Sequence, residues 1–212
     1  MRYLTFALAK GRLADMTLET LKKVGIAYNK EDYSSRQLIF ENPEEGYRFF
    51  LAKAGDVPTY VEHGAADIGI VGADTIIEEN RNVCEILDFK FGRCDLCIAG
   101  PPASKAKLED GGLIRVATKY PNIAKKYFDD RNRKAEIIKL NGSVELGAIV
   151  GLADVILDIV ETGSTLRENG LEVLVKTHPL SAKMIINNVS MKLQNQRISA
   201  IVQNLRTVLE EE

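Results

Sequence analysis

Short runs rich in Val, Ile, Leu and Phe alternate with helix-patterned stretches from one end of the chain to the other. This alternation restricts the fold more than any other feature. Extended runs are expected at 3–8, 38–41, 47–53, 67–71, 94–99, 113–118, 135–139, 154–159, 171–176 and 182–187. Strands interleaved with helices in this way predict α/β architecture, with mixed sheets flanked by helices. From Leu13 to Val24 apolar residues recur at helical spacing, and Gly25 stands where a helix-ending glycine belongs. Asp56-Val57-Pro58 supplies an N-cap acid and an early proline, and Gly64 closes that short helix. Further helices are expected over 122–130 and 144–150. Ile198, Ile201, Val202, Leu205, Val208 and Leu209 form an apolar stripe that predicts one long helix over about 190–210. The Gly100-Pro101-Pro102-Ala103-Ser104 break reads as a turn, and no repeat or low-complexity linker appears. Two α/β lobes follow, with the chain passing between them more than once: 1–88 plus 179–212, and 89–178. Ligands of such folds bind in a crevice at the carboxyl ends of strands, often between lobes.

Composition excludes several functions. A net charge of −2 gives no basic surface for nucleic acid or acidic lipid, so an anionic ligand must be attracted locally. The Leu4–Leu8 run is too short and too polar at its flanks for a signal peptide, and no stretch approaches a membrane span. A cytoplasmic protein is expected. Three cysteines argue against a disulfide framework. Cys94 and Cys97 have C-x-x-C spacing, but on a strand an offset of three puts them on opposite faces, and only His63 and His178 could complete a metal site. Structural thiols are expected.

The run from Asp154 to Leu166 carries the strongest chemical signal. Its apolar Val155-Ile156-Leu157 leads to a carboxylate, Asp158, and then to the small turn Thr162-Gly163-Ser164-Thr165. Short side chains let backbone N–H groups close around an anion, and a helix beginning near Ser164 adds its positive end. Asp158 can accept hydrogen bonds from ribose hydroxyls while the turn holds a phosphate. An ordinary capped strand-to-helix turn is the competing reading. Four further segments place small and cationic residues at expected strand ends: Ala9-Lys10-Gly11-Arg12, Ser35-Arg36, Lys53-Ala54-Gly55-Asp56 and Lys139-Leu140-Asn141-Gly142-Ser143-Val144-Glu145. A lone Lys or Arg is usually a solvated surface charge. Several at strand ends describe a pocket for a heavily phosphorylated ligand, with the Gly-Ser bend expected to face guanidinium groups of the other lobe.

These motifs, with Asp56 through Ile70, Arg115-Val116-Ala117-Thr118-Lys119-Tyr120, Gly142-Ser143-Val144-Glu145-Leu146 and Gly151-Leu152-Ala153-Asp154, occur in an order that resembles ATP phosphoribosyltransferase over essentially the whole chain. The resemblance is to the short form, which lacks a C-terminal regulatory domain. It implies a two-lobed fold like that of periplasmic binding proteins. It also implies transfer of the 5-phosphoribosyl group from phosphoribosyl pyrophosphate (PRPP) to N1 of ATP, the first step of histidine biosynthesis. Two positions depart from the family pattern: Lys53 replaces a usual arginine, turning a bidentate contact into a point charge, and Ala148 replaces a common proline.

By position in these motifs, the resemblance implies that PRPP is bound by Asp158 and by Glu161, Thr162, Gly163, Ser164 and Thr165. Glu145 is a second candidate for the ribose or for Mg²⁺, the implied cofactor, which bridges phosphate oxygens and is carried by PRPP. Arg12 and Arg36 are expected at the pyrophosphate and ATP phosphates, stabilising the leaving group, with Lys10, Gly11 and Lys53 assisting. Cys94 is a candidate for lining the adenine pocket, with a packed thiol the competing reading, and His63 is read as a cap or surface residue rather than a base. A regulatory partner similar to histidyl-tRNA synthetase, in a hetero-oligomer, is implied as well. Alternatives are a nucleobase phosphoribosyltransferase and a non-enzymatic two-lobed solute-binding protein.

Overall fold

The computed structural model describes residues 2–28 and 37–211. The chain divides into two compact units: unit 1 is Met1–Gly92 with Ser181–Glu212, and unit 2 is Arg93–Leu180.

Unit 1 is built on strands β1 (Leu4–Ala9), β2 (Ile39–Asn42), β3 (Tyr47–Ala52), β4 (Ile68–Gly72), β5 (Cys84–Asp88) and β11 (Ala182–Ile186), in the order β2-β3-β1-β4-β11-β5. β1 runs parallel to β3 and β4, and the other pairings are antiparallel. Alternation sorts the two faces. Leu4, Phe6, Leu8, Phe49, Ile68 and Ile70 point to one side, under helix α1 (Arg12–Lys23) and the C-terminal helix α9 (Asn195–Glu210). The Phe6 and Phe40 rings stack on Phe49 at 5.0 and 5.3 Å. Ala7, Ala9, Ala52 and Val71 point to the other side, where helix α2 (Val57–Glu62) packs close through Val57 and Val61. Gly69 permits that approach: a Cβ there would lie 2.7 Å from Val61 and 2.9 Å from Val57.

Unit 2 has strands β6 (Cys94–Gly100), β7 (Ile114–Thr118), β8 (Ala135–Lys139), β9 (Val155–Val160) and β10 (Glu172–Leu180), in the order β10-β6-β9-β7-β8. β7 is parallel to β8 and β9, while β6 is antiparallel to β9 and β10. Two short helices, α6 (Glu145–Ile149) and α7 (Ser164–Glu168), lie on the face that carries Ala99, Ala117 and Ile156. Helix α5 (Pro121–Asp129) packs beside β7 and β8 and buries Ile123, Ala124 and Phe128.

Several elements differ from the sequence expectations, for physical reasons. The tail holds two helices, α8 (Asn188–Leu193) and α9: Asn187 caps the start of α8 by accepting the N–H groups of Val189 and Ser190, and Gln194, at φ −119° and ψ 25°, breaks the helix between them. Strand β5 was not expected. It is a sheet edge with only Leu87 buried, and charges interrupt its apolar pattern. Helices α3 (Ala73–Glu79) and α4 (Ser104–Glu109) were also not expected, and α4 buries no residue and so lacks an apolar stripe. Strand β10 runs on to Leu180 through Pro179, which an edge strand with bulged pairing tolerates. Gly69→Ala should cost about 1–3 kcal/mol by forcing α2 off the sheet. Urea unfolding checks this, and unchanged stability would show that the contact can relax.

Candidate active site

The seven residues expected to bind the phosphoribosyl group come together in unit 2. Glu145, Asp158, Glu161, Thr162, Gly163, Ser164 and Thr165 line one cavity of about 320 Å³. Ile156, Ile159, Val160 and Leu166 complete its wall. β9 brings Asp158 to the cavity, and its carboxylate accepts the N–H of Ile159 at 2.8 Å. The chain then turns at Gly163, whose φ of 69° is the left-handed conformation that favours glycine. Arg167 closes the turn from behind, donating to the Thr162 carbonyl at 3.0 Å, and the Thr162 and Ser164 hydroxyls lie 3.1 Å apart. Helix α7 follows at once, and its first-turn N–H groups have no carbonyl one turn back in the helix. Because α7 has only five residues, these local N–H groups count for more than any helix dipole.

Three carboxylates share this cavity with a turn of small, hydroxyl-bearing residues, whose Ser164 N–H donates to the Thr162 hydroxyl at 3.4 Å. That chemistry suits a ligand with hydroxyls for the acids and a phosphate for the turn. Among the described residues no group of three or more His, Cys, Asp or Glu is placed to hold a metal ion.

Behind the cavity, Asp154 anchors the start of β9. Its carboxylate accepts the Arg115 backbone N–H at 2.8 Å, Arg115 Nη2 at 2.9 Å and Lys107 Nζ at 2.9 Å. The Arg115 guanidinium above all holds the Asp154 carboxyl well below the ordinary carboxylate range, against the opposing effect of burial. At the far end of the pairing the Thr118 hydroxyl donates to the Leu157 carbonyl at 2.7 Å.

In unit 1 the turns after β1 and β3 meet, because the two strands are parallel neighbours in register, Ala9 opposite Ala52. The Lys10 N–H donates to the Ala52 carbonyl at 2.9 Å. Lys10 and Lys53 then line a cavity of about 560 Å³ with Arg48, Phe50, Asp56 and Tyr60. Phe50 and Tyr60 meet edge-on at 5.0 Å and give the cavity an aromatic wall.

Other expected site residues lie elsewhere. Gly11 has φ 99° and starts α1, and Arg12 is exposed in the first turn of that helix; neither lines the unit 1 cavity. Arg36 lies outside the described residues. Cys94 opens β6 opposite Leu180 and does not line the Asp158 cavity. Cys97 pairs with Asp158, and three residues along the strand turn Cys94 to the reverse face. His63 ends α2 with its side chain 71% exposed, 3.9 Å from Glu62.

A family model described as ATP phosphoribosyltransferase matches residues 53–207. A protein named ATP phosphoribosyltransferase from Lachnoclostridium phytofermentans is 60% identical over 213 residues, covering 100% of this chain and 99% of its own. The chain belongs to the ATP phosphoribosyltransferase family. The solved ATP phosphoribosyl transferase (HisG:HisZ) complex from Thermotoga maritima contains a chain 32% identical, with TM-score 0.84 and coverage of 99% and 100%. The GluR0 ligand-binding core from Nostoc punctiforme, solved with L-glutamate, shares the fold alone: TM-score 0.60 at 15% identity, covering 98% of this chain and 93% of its own. This places the chain on a fold of the periplasmic-binding-protein kind.

Sequence reasoning passed over Arg48, Phe50 and Tyr60, although Tyr60 stands inside the Asp56–Ile70 motif. Arg48 and Phe50 share a face of β3 by period two, a signal visible in the sequence but not tied to ligand chemistry without the neighbouring strand.

Asp154 gives a pH signature. Its folded-state pKa is depressed, so its contribution is present above the unfolded value, roughly 4, and is lost as pH falls towards the folded value. Asp154→Asn should lose on the order of 2 kcal/mol at neutral pH. Urea unfolding from pH 8 to 3 should show a constant gap from wild type down to about pH 5, narrowing below about 4. A gap that changes through neutral pH would contradict this assignment.

Proposed function

We propose that this chain joins the 5-phosphoribosyl group of PRPP to N1 of the ATP adenine, releasing pyrophosphate, with the unit 2 cavity as the PRPP subsite. This is the committed step of histidine biosynthesis. The observation that carries the subsite is the convergence of Asp158, Glu145 and the Glu161–Thr165 turn on one cavity. The turn takes the 5-phosphate and Asp158 the ribose hydroxyls. Lys10 and Lys53, on the unit 1 cavity with its Phe50–Tyr60 wall, take ATP phosphates. Arg12, at the start of α1, and Arg36 act on the pyrophosphate.

The chemistry asks little of a base. Adenine N1 is largely unprotonated at neutral pH, so its lone pair is ready to attack C1 of the ribose. As the bond from C1 to the pyrophosphate oxygen breaks, negative charge grows on the leaving group and positive character on the sugar. Positioning and electrostatic stabilisation therefore supply most of the rate. Asp158 holds the ribose and the turn fixes its far end, while the cations steady the departing pyrophosphate.

Mg²⁺ belongs to this reading as a companion of PRPP. Glu145, Asp158 and Glu161 on one cavity wall would give such an ion oxygen ligands beside the substrate's diphosphate. Bound there, it neutralises diphosphate charge. A regulatory subunit resembling histidyl-tRNA synthetase, in a hetero-oligomer, is part of the proposal, supported by the two-component complex formed by the Thermotoga maritima relative. A cytoplasmic location is supported by the biosynthetic role; among the described residues no helix is long and apolar enough to cross a membrane.

The test is pyrophosphate release from PRPP and ATP with Mg²⁺ and the regulatory subunit present. Ser164→Leu should raise KM for PRPP by about tenfold or more while leaving KM for ATP nearly unchanged, because it fills the anion turn. A rise for ATP alone would mean the ligands are misplaced. Arg12→Ala should lower kcat on the order of a hundredfold. Undiminished turnover would remove Arg12 from the leaving group.

A further inference from the structure

Gly151-Leu152-Ala153-Asp154 links two ligand-facing elements, yet none of the four residues lines the cavity. The way α6 sits on its sheet explains what the segment does. Large apolar side chains of α6 and the turn after it point outward: Leu146 is 54% exposed, Ile149 45%, Val150 70% and Leu152 43%. Small residues make the contact instead. Val144, Ala148 and Ala153 are buried, and Gly147 approaches so closely that a Cβ would lie 2.7 Å from that of Ala117. Side chains this small bury little apolar area, so α6 has weak hydrophobic anchorage. Its position depends on polar ties.

Two such ties hold its C-terminal end. The Ala153 N–H donates to the Gly147 carbonyl at 2.8 Å, and Arg115 Nη1 donates to the Gly151 carbonyl at 3.1 Å. Asp154 in turn holds Arg115, through Nε at 3.4 Å, Nη2 at 2.9 Å and the backbone N–H at 2.8 Å, and the Asp154 N–H donates to the Arg115 carbonyl at 2.9 Å. The planar fork of Arg115 thus binds the carboxylate with some of its donors and spends another on the end of α6. At the opposite end of α6 is Glu145, on the cavity wall.

We propose that Arg115 and Asp154 are positioning residues for the phosphoribosyl donor, setting α6, and with it Glu145, against Asp158 and the phosphate turn. The inference rests on the unit 2 cavity being the PRPP subsite. Neither residue lines that cavity; both act through backbone that they hold in place. Lys107 serves as an internal control. Its Nζ meets the same carboxylate at 2.9 Å from α4, but no hydrogen bond links its side chain to α6.

The experiment compares Arg115→Lys, Asp154→Asn and Lys107→Met in the complex with the regulatory subunit, reading KM for each substrate, kcat and the melting midpoint. Lysine at 115 can keep the ion pair but cannot also reach the Gly151 carbonyl. Arg115→Lys and Asp154→Asn should raise KM for PRPP about tenfold, with KM for ATP within about twofold. Lys107→Met should lower the melting midpoint and leave both KM values alone. KM does not depend on the fraction of enzyme that is folded, so a destabilised variant still reports. An unchanged KM for PRPP in Arg115→Lys would overturn the inference. So would an equal rise for both substrates, or an equal rise in Lys107→Met. Ser164→Leu measured in parallel separates the two levels: if it raises KM for PRPP and Arg115→Lys does not, positioning alone fails. If Ser164→Leu also leaves KM for PRPP unchanged, the subsite reading falls and the inference with it.

Discussion

A strand alternates its side chains with period two, so Asp158 faces the cavity only while β9 keeps its register against β7 and β6. A slip of one residue would turn Asp158 to the reverse face and carry Leu157, buried at 0% exposure, into the cavity. Both ends of the β7–β9 pairing are pinned against such a slip. Asp154 gathers Arg115 and Lys107 at the start, and Thr118 ties the Leu157 carbonyl at the finish. Between them Val155, Ile156 and Leu157 are fully buried. A slip would cost both polar ties and this packing together.

The turn at Gly163 inherits its place from that strand. Once β9 ends at Val160, Gly163 can reverse the chain because it adopts φ 69° without the steric cost another residue would bear. Arg167 then braces the turn from α7. Unit 1 works by the same logic with different parts. Parallel pairing of β1 and β3 brings Lys10 beside Lys53, and the close seat of α2 over Gly69 presents Tyr60 to Phe50. In each unit a sheet fixes the register, and short turns at strand ends carry the polar chemistry.

Much of this was legible in the sequence. Asp158 through Thr165 could be read as a sugar-phosphate site because a buried apolar run, a carboxylate and a small hydroxyl-rich turn occur together. Lys10 and Lys53 could be singled out because each follows an apolar run. Other features stayed hidden for identifiable reasons. Arg48, Phe50 and Tyr60 form a cavity wall only after β3 pairs with β1 and α2 folds over the sheet. The Arg115–Asp154 tie joins residues 39 apart in sequence, and neither residue type declares a partner in advance. α4 escaped notice because no side chain on it is buried, and α8 because a single asparagine side chain, Asn187, decides where it begins.

The most direct measurement is a titration of the isotopically labelled protein with ribose 5-phosphate, following backbone amide resonances. Ribose 5-phosphate carries the sugar hydroxyls and the 5-phosphate but no pyrophosphate, so it isolates the part of the donor that the unit 2 cavity is proposed to hold. The account predicts saturable shifts at Gly163, Ser164 and Thr165, with smaller changes at Asp158 and Glu145. Shifts confined to Lys10 through Arg12 and Lys53, or no change at these amides at saturation, would contradict it.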